Sequence, residues 1–243
     1  MRLDVFLSEH GYVNSRTDAK NFIVGGFVRV GGKTVTKPSY DVTDGDTEIS
    51  VDKTAKKYVS RGGLKLEGAI SEFGLDVSSR LAVDIGASSG GFTDCLLKHG
   101  ACHVIAVDSG TNQLSPILRA DSRVTVLENF NARYMTPSDF GYEPNLAVMD
   151  VSFISATLIF PALHNVLSDG ADFVCLIKPQ FEVGREHIGK GGIVKSEDER
   201  QSAVKKVISS AKAVGFEYIT HTHSPILGGD GNTEYIAHFI NRK

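Results

Sequence analysis

The sequence predicts an α/β protein: a Rossmann-like sheet of mostly parallel strands, preceded by a small α+β module. Three observations predict it. From residue 63 onward, short apolar runs alternate with helical patterns, the order that builds a doubly wound parallel sheet. One run, Leu81-Ala-Val-Asp84-Ile, opens into the glycine-rich turn Gly86-Ala87-Ser88-Ser89-Gly90-Gly91, and a helical pattern begins at Phe92. Open α/β sheets hold nucleotide-like ligands at such a strand–turn–helix junction, because glycines let a ligand lie against the backbone. Residues 1–52 follow a different pattern, that of a separate small module.

In that module Leu3, Phe6 and Leu7 suit a short first helix. Ser15-Arg-Thr-Asp18 is close to a capping box, with Asp in place of Glu or Gln, and opens a second helix that Gly25-Gly26 ends. Val28-Arg-Val30 and Lys33-Thr-Val35 flank Gly31-Gly32, a two-residue hairpin signal, and Thr47–Val51 supplies a further strand after Asp44-Gly45. Residues 53–62 form a basic linker carrying Lys53, Lys56, Lys57 and Arg61, with no acid as far as Lys65. The larger domain, 63–243, starts with a helix from Leu64. Strands are predicted at Leu81–Asp84, Val104–Asp108, Val124–Leu127, Leu146–Asp150 and Phe173–Lys178. A helix follows from Ser196, with Glu199 at its capping-box position, and Phe216–His221 and Glu234–Ile240 close the chain as a hairpin.

At 243 residues, with 41% hydrophobic and 23% charged side chains, the chain has the composition of a soluble globular protein and can bury a full core. No run approaches the ~18 apolar residues of a membrane helix, and Met1-Arg-Leu-Asp4 lacks the character of a signal peptide. The net charge of −3 excludes a generally basic coat but not a local basic surface, and the 53–65 cluster is the candidate. Cys95, Cys102 and Cys175 are an odd number without C-x-x-C spacing. They read as free thiols in a reducing cytoplasm rather than as metal ligands, and no metal is expected.

The spacing Gly86-x-x-x-Gly90-Gly91 is not the G-x-G-x-x-G of dinucleotide enzymes. It reads as the first motif of S-adenosyl-L-methionine methyltransferases, with Asp84 ending the first strand. The next strand ends at Asp108, an acceptor suited to two ribose hydroxyls. Gly86, Ala87, Ser88, Gly91, Phe92, Asp108 and Asp150 are therefore candidate donor contacts, with Asn131 and Ala132 after the third strand on the adenine side.

Four residues fall at element ends: Lys65 after Arg61-Gly-Gly, Asp150 and Lys178 each ending a strand, and Glu234 beginning the last one. In a parallel sheet Asp150 and Lys178 share the ligand-binding edge with Gly86 and Asp108. Two lysines and two carboxylates there suit attack by a poorly acidic hydroxyl. A second cation nearby favours the unprotonated amine, and the carboxylates orient both lysines.

The N-terminal module resembles the ribosomal S-four-type RNA-binding domain over Arg2-Leu-Asp-Val-Phe-Leu, Ser15-Arg-Thr-Asp-Ala-Lys and Gly26-Phe-Val-Arg-Val-Gly-Gly-Lys. That resemblance implies RNA contacts from Arg16, Lys20, Arg29 and Lys33. A protein–protein adaptor is the rival reading, and the i, i+4 placement of Arg16 and Lys20 on one helix face favours RNA. The basic linker residues Lys56, Lys57 and Arg61 join this set. The order Lys65, Asp150, Lys178, Glu234 is similar to the tetrad of FtsJ-like 2′-O-ribose methyltransferases. Tyr58-Val-Ser-Arg-Gly-Gly-Leu-Lys, Asp150-Val-Ser-Phe-Ile-Ser, Lys178-Pro-Gln-Phe-Glu-Val-Gly and Gly231-Asn-Thr-Glu-Tyr resemble the TlyA (haemolysin A-like) family along nearly the whole chain. The resemblance implies methylation of cytidine 2′-OH groups in small- and large-subunit rRNA, with rRNA or ribosomal subunits as partners. Better-known members carry Arg-x-Trp-Val in the linker, where this chain has Lys56-Lys-Tyr-Val.

Two rivals to the enzyme reading are a non-catalytic ribosome-binding protein and a membrane-active haemolysin; no stable membrane association is expected. Gly184–Lys190 matches G-x-x-x-x-G-K, but Gly191 stands where a P-loop needs Ser or Thr. It reads better as a mobile loop over the substrate. Phe153 is expected in the core, with stacking on a flipped nucleotide as the alternative.

Overall fold

The computed structural model describes residues 1–43, 48–52, 57–189, 191–228 and 231–243. Helices α1 (Leu3–Glu9) and α2 (Arg16–Val24) pack on a three-stranded antiparallel sheet of β1 (Val28–Val30), β2 (Lys33–Thr34) and β3 (Ile49–Val51), in the order β2-β1-β3. Ser15 caps α2 by accepting the Asp18 N–H at 3.1 Å. Leu3, Leu7, Phe22, Ile23 and Val28 form a small core of their own. Thr47, where the third strand was expected to begin, and the preceding Asp44-Gly45 lie outside the described residues.

The chain then crosses into α3 (Gly62–Phe73), which starts just before the expected helix, so the last linker residue is already helical. The central sheet holds β4 (Leu81–Ile85), β5 (His103–Val107), β6 (Val124–Leu127), β7 (Leu146–Met149), β8 (Asp172–Ile177), β9 (Phe216–His223) and β10 (Tyr235–Asn241). Their order is β6-β5-β4-β7-β8-β10-β9. The first five are parallel; β10 runs antiparallel to both β8 and β9.

Helices cover both faces, which is why the parallel strands read as continuous apolar runs rather than alternating ones. One face packs α3, α4 (Gly91–Lys98) and α5 (Pro116–Arg119) through Leu66, Ala69, Cys95, Leu96 and Leu118. The other packs α6 (Phe160–Val166) and α8 (Glu197–Ala213) through Leu163, Val166, Val204 and Val207. A short helix, α7 (Pro179–Glu182), follows β8 directly.

Register sets the functional edge. Ile85 pairs with Met149 and Met149 with Cys175, so β4, β7 and β8 finish almost level. Because β10 is antiparallel, its first residue, Tyr235, pairs with Ile177 at that same edge. Glu234 is thereby delivered beside Lys178 by the start of a strand, where the others arrive at strand ends.

Candidate active site

The turn after β4 forms the floor. Gly86 has φ +84°, and a Cβ there would lie 2.5 Å from the Asp150 carbonyl oxygen, so two chain segments meet at backbone contact. At Gly91 a Cβ would lie 2.3 Å from Ser60 Oγ, which brings the linker against the same turn. Asp84 corrects the sequence reading. It sits inside β4 rather than at its end, fully buried, and accepts a hydrogen bond from Thr93 Oγ1 at 2.6 Å. Burial pushes its carboxyl up to about 7 against that bond; it ties α4 to the strand.

Two cavities open on this edge. The first, about 550 Å³, is lined by Gly86, Ser88, Asp108, Asn131, Ala132 and Asp150, with Phe130, Ile154 and Ile159 as apolar walls. Its size and mixed lining fit a nucleoside-sized ligand. Asp108 is held in place by the N–H groups of Ser88 (2.8 Å) and Gly110 (2.7 Å), one to each carboxylate oxygen. An oriented carboxylate over an apolar slot suits the ribose and adenine of S-adenosylmethionine. Asp108→Ala leaves ribose donors unpaired and is expected to weaken donor binding by roughly 1–3 kcal/mol; calorimetry giving unchanged affinity would remove Asp108 from the site.

The second cavity, about 300 Å³, contains Lys65, Asp150, Lys178 and Glu234 together. Lys65 Nζ lies 2.5 Å from Glu234 Oε2, and both side chains are buried. Lys178 Nζ lies 2.5 Å from Asp150 Oδ1 and donates to Ser152 Oγ at 2.7 Å. Burial opposes ionisation of Asp150, but Lys178 and Lys65 outweigh it, with Arg61 adding, and hold the carboxyl below its ordinary value. The cavity is a cleft between the two domains: Val24, Gly25, Gly26 and Thr36 line its far wall. Gly86, Ser88, Asp150 and Ser152 line both cavities and mark where they join.

The predicted donor contacts therefore divide. Gly86, Ser88, Asp108, Asn131, Ala132 and Asp150 face the first cavity; Ala87, Gly91 and Phe92 line the second instead. The cause is local. The α4 N-terminus packs against the linker, with Phe92 buried in the core beneath it.

The predicted cations differ in availability. Lys20, Arg29 and Lys33 are exposed. Arg16 is exposed too, but its Nε is paired with the buried Asp4 at 3.0 Å. The Arg2 guanidinium, against the penalty of burial and with help from Arg16, holds Asp4 down at about 2. Lys57 pairs with Glu67. Arg61 lines the second cavity, and its backbone N–H donates to the Gly25 carbonyl at 3.1 Å. Lys53 and Lys56 lie outside the described residues. The linker aromatic Tyr58 is buried, with the Lys98 ammonium 5.1 Å from its ring centre.

Phe153, expected in the core, is 93% exposed, with φ +64° and its ring 5.3 Å from that of Phe181. A lone apolar residue in a turn carries no periodicity to reveal its face. Across Gly184–Lys190, residues 185–187 form a 3-10 turn, Lys190 lies outside the described residues, and the next helix begins at Glu197. Among the described residues no group of three or more His, Cys, Asp or Glu side chains is placed to hold a metal ion. None of their helices is long and apolar enough to cross a membrane. Ser152, Phe130, Ile154 and Ile159 were missed by the sequence reading, though Ser152 stands inside the motif that begins at Asp150.

The FtsJ-like methyltransferase profile matches residues 58–240, and the S4 domain profile matches residues 1–47. The chain belongs to the FtsJ-like methyltransferase family. Its cofactor is S-adenosylmethionine, as for the family. Among its relatives, hemolysin A of Brachyspira hyodysenteriae is 46% identical over 241 residues, 99% of this chain and 100% of that one. The 16S/23S rRNA (cytidine-2′-O)-methyltransferase TlyA of Mycobacterium tuberculosis is 42% identical over 234 residues, 96% of this chain and 87% of that one. A solved structure described as a hemolysin from Streptococcus thermophilus superposes with a TM-score of 0.80 at 44% identity, covering 100% of this chain and 89% of that one.

Proposed function

We propose that this protein transfers a methyl group from S-adenosylmethionine to ribose 2′-OH groups of rRNA in the cytoplasm, with cytidines of the small and large subunits as targets. The observation that carries the reading is the meeting of Lys65, Asp150, Lys178 and Glu234 in one cleft that joins the donor cavity. The bound donor supplies an electrophilic methyl carbon on a sulfonium. Everything else falls to the chain. Asp108 and the turn at Gly86 hold the donor, and the cleft between the domains admits the nucleotide. Lys178, as the unprotonated amine, takes the 2′-OH proton while the oxygen attacks. Asp150 fixes its Nζ, and the Lys65–Glu234 pair forms the adjoining wall. Phe153, exposed at the rim, offers a face on which a base can stack.

The exposed cations Lys20, Arg29 and Lys33, with Arg61 and the linker, would grip phosphates and position the RNA without reading its sequence. Replacing Lys20, Arg29 and Lys33 is expected to flatten the salt dependence of RNA affinity by about 0.7–0.9 log units per lost contact. An unaltered slope would move RNA binding elsewhere.

Mapping ribose methylation on rRNA from cells with and without the gene tests the function. Loss of defined 2′-O-methylcytidines is expected; an unchanged map would leave the alternative of a ribosome-binding protein without catalysis. The relative named hemolysin A raises the second reading, membrane lysis. Dye release from liposomes by the purified protein would support it, and the donor cavity and lysine–carboxylate pairs have no part in such an activity.

A further inference from the structure

Lys178 has a second partner besides Asp150. Its Nζ lies 2.5 Å from Asp150 Oδ1 and donates to Ser152 Oγ at 2.7 Å. A tetrahedral nitrogen bonded to Cε has three remaining positions; Ser152 Oγ takes one of them by hydrogen bond, while the Asp150 carboxylate meets Nζ as an ion-pair partner outside hydrogen-bond geometry. The serine is therefore what fixes the direction of an Nζ–H bond, and Nζ keeps an open position to meet a hydroxyl group. Ser152 also stands where it matters, because it is among the residues lining both the donor cavity and the nucleotide cleft. Methyl transfer requires donor and acceptor to touch, so it must take place at that junction.

The segment that carries Ser152 is fixed at both ends. Asp150 N–H donates to the Ile85 carbonyl at 2.9 Å. At the other end the buried Glu182 accepts from Ser155 Oγ at 2.6 Å and from the Ala156 N–H at 2.8 Å. Between them Phe153 adopts φ +64°, a conformation that a bulky L-residue takes only under constraint. That turn sends the phenyl ring outward and leaves the neighbouring serine on the lysine.

We propose that Ser152 is a positioning residue for the methyl transfer: its hydrogen bond turns the Lys178 amine, which Asp150 holds by charge, so that an open position of Nζ faces the ribose 2′-OH. The inference rests on the reading of Lys178 as the base. In the reaction the O2′–H bond breaks and its proton goes to Nζ. The O2′–methyl bond forms as the methyl–sulfur bond breaks, and the sulfur leaves as a neutral thioether. Ser152 exchanges no proton; it sets direction.

The test compares Ser152→Ala and Ser152→Thr in the full chain, by single-turnover methylation of rRNA, with donor and RNA affinities measured separately. Ser152→Ala is expected to lose about ten-fold or more in rate, because a small misplacement of a reacting group is costly, with both affinities within about two-fold of wild type. Ser152→Thr keeps the hydroxyl and is expected to recover most of the rate. A rate for Ser152→Ala within about two-fold of wild type, or a loss wholly explained by weaker binding, overturns the proposal. Failure of Ser152→Thr to recover any rate overturns it as well. Lys178→Ala, run alongside, separates the two readings. If it is inactive while Ser152→Ala is normal, only the serine's role falls; if it keeps the wild-type rate, the base assignment falls with it.

Discussion

Lys178→Ala is expected to abolish methyl transfer while leaving donor and RNA binding nearly intact. The lysine contacts Asp150 and Ser152, which line both cavities, so under the proposed mechanism its loss removes an interaction with the reacting oxygen rather than a donor contact. An interaction made mainly in the transition state lowers rate without lowering affinity. Loss of a general base alone predicts about 10²–10⁴-fold. Single-turnover kinetics with calorimetry for the donor will read both quantities. A wild-type rate would remove Lys178 from the chemistry, and a loss explained by donor affinity would make it a ligand.

Glu234→Ala should produce the largest change in stability. Lys65 and Glu234 are 5% and 3% exposed and ion-paired at 2.5 Å. Removing the carboxylate leaves the ammonium buried without its counter-charge, which costs about 3–5 kcal/mol. Replacing both residues by apolar ones, Lys65→Met with Glu234→Leu, removes the stranded charge and is expected to restore most of that loss, while methyl transfer stays abolished. Denaturant unfolding of the single and double variants checks it. A double variant as unstable as the single one would show that packing, not charge, governs this site.

Much of this site is legible in the sequence because it lies at strand ends. An apolar run that stops at Asp108, Asp150 or Lys178 announces a sheet edge, and parallel strands put those edges on one side. The antiparallel β10 then needs its first residues, not its last, at that edge, which is why Glu234 precedes its strand. Contacts between loops are not legible. Nothing local says that Ser152, after β7, meets Lys178, after β8. Nor does any pattern say that Asp4 captures Arg16, since the pairing depends on how α1 packs against α2. The division of the glycine-rich turn between two cavities depends on the linker at Ser60, which is remote in sequence from Gly91. Phe153 is exposed by a single strained backbone angle, and a propensity scale has no means of anticipating that.

The most direct test of the account is to incubate the purified protein with rRNA and S-adenosylmethionine labelled in its methyl group, then digest the RNA to nucleosides. Label is expected in ribose, chiefly as 2′-O-methylcytidine, with none in the Lys178→Ala reaction. Label in a methylated base, or donor binding with no label transferred to RNA, would contradict it.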